Sequence, residues 1–256
     1  MNLVNNFNND GFLIAKELID KNETKKITLN IKKSFDRVLE SIKKDPAVDL
    51  ESSMQRLFEE NIEKYLACAS SLWRKQMVSN FLNSPCIINY LSDNFGWRDI
   101  YLPGGQAVHI MDDKLKIPGG YHGIQAHQDW PSVGGSRDGL VIWIPLMDVD
   151  KSNFPLEVIA GSHKRGMYPL KGDEHSPWEI DPKSYVENEF EVVEMEEGDV
   201  LFMSYFTVHR SGLGDGGFRI SLSTRYDNAD DENFIQRVYP TRYSRSVNRI
   251  LDKSYE

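Results

Sequence analysis

Hydrophobic residues in the first part of the chain recur at helical spacing. Ile27, Ile31 and Phe35 lie three to four positions apart, which predicts an amphipathic helix that begins after a cap at Asp20 or Asn22. The same periodicity returns from about residue 53 to 94, and a short apolar run at 12–15 fits a strand. We therefore expect a helical layer over about residues 16–95.

After Gly96 the pattern changes to short apolar runs separated by Gly, Pro, Asn and Asp, which is typical of an antiparallel sandwich or barrel. Helices packed beside such sheets make an α+β fold. We expect this β-rich core to cover about 97–227 and to be followed by a tail at 228–256. The predicted strands are 99–102, 107–111, 124–130, 140–146, 156–159, 189–193, 200–202, 207–210 and 218–225.

Composition narrows the function classes. A chain of 256 residues with 40% hydrophobic content can fill one core, so 1–256 is expected to be a single domain. A net charge of −9 argues against a nucleic-acid partner. The chain has only two cysteines, the N-terminus resembles no signal peptide and no stretch approaches a membrane span, so we expect a cytoplasmic protein without a membrane partner. The sequence gives no indication of oligomeric state.

The strongest candidate chemistry lies at His127 and Asp129. Side chains two apart on a strand point to the same face, so both can reach one metal ion. With His209 as third ligand they form the two-histidine, one-carboxylate set of non-haem Fe(II) oxygenases, which leaves the opposite face of the metal open. The alternative without function is that His127 and Asp129 are two polar residues that occur by chance at a strand edge.

A second candidate follows His209. From 218 to 225 apolar and polar residues alternate, so that Arg219 and Arg225 lie on one polar face. Such a face belongs either to solvent or to a barrel interior that holds a polar ligand. A hairpin from His209 would place Arg219 beside a metal ligand, where its guanidinium can bind a carboxylate through two hydrogen bonds.

Together these motifs resemble the phytanoyl-CoA dioxygenase family. The resemblance covers roughly residues 8–227 and is carried by the segments 127–130, 153–164, 198–200, 209–219 and 225–226. It implies a double-stranded β-helix (jelly-roll, cupin-like) fold and the use of Fe(II), 2-oxoglutarate and O2. By resemblance, His127, Asp129 and His209 are the iron ligands and Arg219 binds the distal carboxylate of 2-oxoglutarate, with Ser211, Trp143 and Lys116 as further cosubstrate contacts.

The resemblance implies a dioxygenase that hydroxylates an unactivated C–H bond of a small metabolite or natural-product intermediate, releasing succinate and CO2. Because Asp129 occupies the position that related halogenases leave vacant for halide, hydroxylation is favoured over halogenation, and desaturation or ring formation remain alternative outcomes of the same oxidation. A zinc-dependent hydrolase with the same ligands and a catalytically silent jelly-roll binding module remain the alternatives. His109 is interpreted as a surface or satisfied polar residue, and the candidate substrate contacts are Tyr121, His122, Trp130, Trp178, Tyr205 and Arg225.

Overall fold

A computed structural model describes residues 3–116, 123–172, 178–215 and 217–242. Most of its α-helices precede the main run of strands, as the hydrophobic periodicity predicts. They are α1 (Leu3–Asp10), α2 (Lys21–Ser41), α3 (Leu50–Glu60), α4 (Ile62–Ser71), α5 (Gln76–Leu82), α6 (Pro85–Phe95), α7 (Trp130–Val133) and α8 (Glu232–Gln236).

The helix α2 illustrates how the sequence sets these elements. The side chain of Asp20 accepts a hydrogen bond from the backbone N–H of Asn22, which caps the N-terminus. Ile31 and Phe35 are fully buried on the face that packs into the core. The helix α1 was not predicted, because the short polar stretch before Gly11 reads as a turn.

The strands form two antiparallel sheets. The larger has six strands in the order β1-β7-β4-β9-β2, with β3 also paired to β9, and the smaller has three in the order β6-β5-β8. The strands are β1 (Phe12–Ala15), β2 (Ile100–Tyr101), β3 (Ala107–Asp112), β4 (Leu140–Pro145), β5 (Leu156–Ile159), β6 (Phe190–Val193), β7 (Val200–Ser204), β8 (His209–Ser211) and β9 (Phe218–Asn228).

Side chains alternate across the larger sheet between the helical layer and the space between the sheets. On β4, Leu140 and Ile142 join the core formed with the helices, whereas Val141 and Trp143 face the smaller sheet. The strand β9 departs from this apolar pattern, because its inward positions include the buried Arg219. The predicted polar face therefore lines the interior, and the expected α+β class is confirmed.

Two local predictions near the metal motif were wrong. Residues 124–130 form no continuous strand: His127 pairs with His209 through one isolated bridge, and Asp129 is helical, with φ −75° and ψ −27°, just before α7. Pro131 in the first turn favours this helix start. The predicted hairpin is also absent, because β8 and β9 belong to different sheets and the loop between them crosses from one to the other.

The ends of the chain add two observations. Of the tail expected at 228–256, the structure describes residues up to 242, and 243–256 lie outside the described residues. Within the described ranges, none of the helices combines the length and apolar character needed to span a bilayer.

Candidate metal centre

His127 and His209 are placed side by side by the backbone itself. Each donates its backbone N–H to the other's carbonyl oxygen, at 3.0 Å and 3.1 Å. Val158 of β5 pairs with His209 on the opposite side, so His209 lies inside the smaller sheet. The two imidazole centroids are 4.1 Å apart. The bridge thus brings together two histidines that are distant in sequence.

Hydrogen bonds to the backbone fix the tautomer of both rings. The Nδ1 atom of His127 lies 2.8 Å from the carbonyl oxygen of Gln125, and Nδ1 of His209 lies 3.0 Å from that of Thr207. A carbonyl oxygen only accepts, so each Nδ1 carries the proton. In the neutral ring Nε2 then presents a lone pair, the arrangement found when histidine binds a metal.

Burial keeps these imidazoles neutral. Desolvation is the main cause that lowers the pKa of His127 to about 3, and the neighbouring His209 lowers it further. The pKa of His209 is also lowered, again mainly by burial. For Asp129, burial alone would raise the pKa, but Arg225 and the two histidines outweigh it and the net shift is downward. At neutral pH the set is therefore two neutral imidazoles and one carboxylate.

The side-chain atoms of Asp129 and His209 that are free to bind a metal face one another without a hydrogen bond between them. Asp129 Oδ2 lies 3.3 Å from His209 Nε2, and within the described part of the chain this buried oxygen has no hydrogen-bond partner. A bare lone pair and a carboxylate oxygen repel unless a cation lies between them. Because ligand atoms of His127, Asp129 and His209 all lie within 4.8 Å of one another, the three residues fit a metal ion.

A cavity opens beside these candidate ligands, between the two sheets. Its wall combines the two histidines with residues of both sheets: polar groups come from β3, β8 and β9, and apolar side chains come mainly from β4, β5 and β7. Besides His127 and His209, the lining residues are His109, Ile124, Val141, Trp143, Leu156, Met203, Arg210, Ser211, Arg219, Ser223 and Arg225.

Arg219 brings a buried positive charge into this cavity. It is 1% exposed, and its Nη1 donates to the carbonyl oxygen of Phe154. Its guanidinium carbon lies 5.4 Å from the centroid of the Trp143 ring. Phe154 has φ +58°, which turns its backbone at the point where it meets the arginine. A buried guanidinium on a cavity wall suits an anionic ligand.

The other predicted cosubstrate contacts have different positions. Ser211 lines the cavity, and its Oγ accepts a hydrogen bond of 3.1 Å from the backbone N–H of Ile124. Gly123 makes this approach possible, since a Cβ there would lie 2.9 Å from Cβ of Ser211. Lys116 is exposed and does not line the cavity. The structure thus brings Ser211, Trp143 and Arg219 together but leaves Lys116 apart.

The sequence model of the phytanoyl-CoA dioxygenase family matches residues 7–217. The chain belongs to this family. The expectation of a 2-oxoglutarate-dependent non-haem iron oxygenase is thereby confirmed at the level of the family. Arg219 and Arg225 lie just beyond the matched segment, so their positions are known here from the structure.

Two curated relatives share this sequence pattern. The 1-deoxypentalenic acid 11-beta-hydroxylase of Streptomyces arenae is 28% identical over 125 residues, which cover 44% of this chain and 44% of the hydroxylase. The peroxisomal phytanoyl-CoA dioxygenase of Rattus norvegicus is 22% identical over 269 residues, which cover 97% of this chain and 75% of the rat enzyme. The chain therefore matches less than half of the hydroxylase but three quarters of the dioxygenase.

Solved structures support the fold. The apo non-haem monooxygenase ThoJ has a TM-score of 0.61 at 17% identity, covering 88% of this chain and 77% of ThoJ. The epimerase SnoN, solved with Fe3+, alpha ketoglutarate and nogalamycin RO, has a TM-score of 0.59 at 16% identity, covering 89% of this chain and 82% of SnoN. The expected cupin-like jelly-roll fold is confirmed, and the ligand set of this family member can hold a metal as in iron and 2-oxoglutarate enzymes.

The cavity wall also includes His109, whose place there was not predicted. Of its two interpretations, a surface residue or a satisfied polar residue, the structure shows the second: it lies on β3, and its Nε2 is 2.9 Å from Ser223 Oγ. Burial, followed by the charges of Arg219 and Arg225, lowers the pKa of His109 to about 3. His109 is paired with Ser221 of β9, and this pairing places it on the cavity wall. Its position could therefore be predicted only if the pairing of β3 with β9 were known.

Arg225, a predicted substrate contact, lines the cavity and also binds Asp129, one of the candidate metal ligands. Its Nε and Nη2 donate to Asp129 Oδ1 at 3.0 Å and 2.8 Å. Its Nη1 donates to the carbonyl oxygen of Gly105 and to Ser223 Oγ. These contacts direct the guanidinium toward the carboxylate, and its role as a substrate contact stays a prediction.

The other candidate substrate contacts lie away from the cavity or outside the described residues. Tyr205 is fully buried, its hydroxyl donates to the carbonyl oxygen of Tyr226, and it does not line the cavity. Trp130 stacks on Phe206 with centroids 4.8 Å apart and does not line the cavity. Trp178 is 42% exposed and likewise does not line it. Tyr121 and His122 fall among residues that the structure does not describe.

Proposed function

We propose that this chain hydroxylates an unactivated C–H bond of a small metabolite or natural-product intermediate. The overall reaction converts substrate, 2-oxoglutarate and O2 into alcohol, succinate and CO2. One observation carries the proposal: two neutral histidines and a carboxylate oxygen without a hydrogen-bond partner converge in a cavity that also contains a buried arginine. Fe(II) with 2-oxoglutarate, when bound, supplies the oxidation by dioxygen coupled to decarboxylation.

Different residues of the site bind the metal and the cosubstrate. His127, Asp129 and His209 hold the metal from one side and leave the cavity side open. Arg219, buried in the cavity wall, binds the distal carboxylate of 2-oxoglutarate and so fixes the orientation of the cosubstrate. Trp143 packs along the same wall and excludes water from that end of the cavity.

Relatives support a small organic substrate. One is named for hydroxylation of 1-deoxypentalenic acid, and SnoN was solved with nogalamycin RO. The cavity beside the metal is lined by apolar residues such as Val141, Leu156 and Met203, which favour a substrate with an apolar portion at the site of oxidation. This composition fits a small metabolite or a natural-product intermediate.

The zinc-hydrolase and binding-module alternatives predict different outcomes in one assay. Protein reconstituted with Fe(II) is incubated with 2-oxoglutarate, O2 and a panel of small terpenoid, polyketide and amino-acid substrates. We expect substrate-dependent succinate formation, with one alcohol product per succinate and an oxygen atom derived from O2. A protein that hydrolyses substrates with zinc and forms no succinate would overturn the proposal in favour of a hydrolase.

Matched variants make the assay specific to the site. Asp129→Ala removes the carboxylate ligand and is expected to abolish succinate formation. Asp45→Ala removes an exposed carboxylate in the loop between α2 and α3 and is expected to retain it. If both variants formed succinate at the wild-type rate, the ligand assignment would be wrong.

A further inference from the structure

Arg225 contacts the carboxylate of Asp129 in an unusual way. Two N–H groups of the same guanidinium, on Nε and Nη2, converge on the single oxygen Oδ1. The more common bidentate pair gives one N–H to each oxygen of the carboxylate. The second oxygen, Oδ2, is thereby left facing His209 Nε2. The arginine thus distinguishes the two oxygens of the carboxylate.

The arginine is itself held in place. Its Nη1 donates to the carbonyl oxygen of Gly105 at 2.8 Å and to Ser223 Oγ at 3.2 Å. Gly105 lies in the loop between β2 and β3 and has φ +77°, a conformation that glycine adopts without strain. Arg225 and Asp129 have side chains that are 12% and 2% exposed, so solvent competes little for these bonds. The hydrogen bonds between Arg225 and Asp129 are therefore fixed in geometry and largely shielded from solvent.

We propose that Arg225 is a positioning residue that enforces one-oxygen coordination of the metal by Asp129. This inference rests on the proposed function. With Oδ1 occupied by the guanidinium, only Oδ2 is available to the metal. A carboxylate that bound through both oxygens would occupy a further position on the open face. The cosubstrate chelate and dioxygen together need that face. The hydrogen bonds from Arg225 to Oδ1 therefore keep one position available for dioxygen.

The substitution Arg225→Lys separates geometry from charge. Lysine keeps a positive charge near the carboxylate, but its single ammonium group cannot direct two N–H groups to Oδ1 while also reaching Gly105. The matched control is Arg219→Lys, the same substitution on the same strand, at an arginine whose Nη1 donates to the carbonyl oxygen of Phe154. Thermal melting verifies that both variants remain folded.

The first readout is the affinity of metal-free protein for Co(II), measured by calorimetry without 2-oxoglutarate. We expect Arg225→Lys to bind Co(II) about tenfold to 100-fold more weakly than wild type, the usual cost of losing an outer contact to a metal ligand. Arg219→Lys is expected to keep the wild-type Co(II) affinity and to lose affinity for 2-oxoglutarate. A folded Arg225→Lys variant with unchanged Co(II) affinity would overturn the inference. This holds even if that variant bound 2-oxoglutarate more weakly than wild type.

The second readout is the binding of nitric oxide, a stable substitute for dioxygen, to protein saturated with Fe(II) and 2-oxoglutarate under anaerobic conditions. Wild type is expected to give the electron paramagnetic resonance signal of the iron-nitrosyl complex, and Arg225→Lys a much weaker one. Equal signals would contradict one-oxygen coordination. If wild type bound Co(II) but not 2-oxoglutarate, the proposed function would fail, while the Co(II) comparison would still report on Arg225.

Discussion

Arg219 is the residue whose substitution most directly tests the cosubstrate site. It is 1% exposed, and its guanidinium lies against Trp143 on the cavity wall. Losing one partner of a buried, hydrogen-bonded charge pair costs about 2–5 kcal/mol. Since each 1.36 kcal/mol is a factor of ten, Arg219→Gln is expected to weaken 2-oxoglutarate binding about 30-fold to 5,000-fold.

Glutamine is the suitable substitution because it keeps an N–H donor for the carbonyl oxygen of Phe154. Alanine would leave that buried acceptor unsatisfied and create a cavity, so loss of binding could then reflect damage to the fold. Affinity is measured by anaerobic titration of the Fe(II) protein with 2-oxoglutarate, and thermal melting controls for stability. A folded Arg219→Gln with wild-type affinity would refute the assignment of Arg219 as the anchor.

Three further predictions concern the metal, pH and a buried tyrosine. Co(II) at 100 times its Kd should stabilise wild type by about 2.7 kcal/mol, and this gain should vanish in Asp129→Ala in thermal melting. Burial is the main cause that raises the pKa of Asp227 from 3.8 to about 6. Its neutral form therefore favours folding, and its contribution falls as pH rises through that range. Asp227→Asn should therefore gain about 2 kcal/mol relative to wild type between pH 4 and 7 in denaturant titrations; a flat difference would contradict this. Tyr205→Phe loses the hydrogen bond to the Tyr226 carbonyl and should lower the free energy of unfolding by about 1 kcal/mol without changing succinate formation; reduced formation would return Tyr205 to the site.

Periodicity allowed most of the secondary structure to be predicted. Helical spacing identified the helical layer, and the alternation on β9 placed Arg219 on a polar face, which the structure shows to be inward. These features are local, because a side chain's face depends only on its position within one helix or strand. The ligand residues were also found from local spacing and from the resemblance to the family.

The errors arose where long-range pairing decides the structure. Asp129 was placed on a strand, but Pro131 initiates a helix directly after it, and only His127 pairs with a strand. Arg225 and Asp129 are 96 positions apart, so no pattern within a window of the sequence reports their contact. The same holds for His109, whose place on the cavity wall depends on the pairing of β3 with β9.

The central claim is that the chain binds Fe(II) and 2-oxoglutarate together at His127, Asp129 and His209. Visible absorption of metal-free protein, titrated anaerobically with Fe(II) and then 2-oxoglutarate, tests it most directly. We predict a charge-transfer band of the chelated keto-acid that is absent in His127→Ala and weakened in Arg219→Gln at limiting 2-oxoglutarate. No band in wild type, together with tight retention of Zn(II), would contradict the claim.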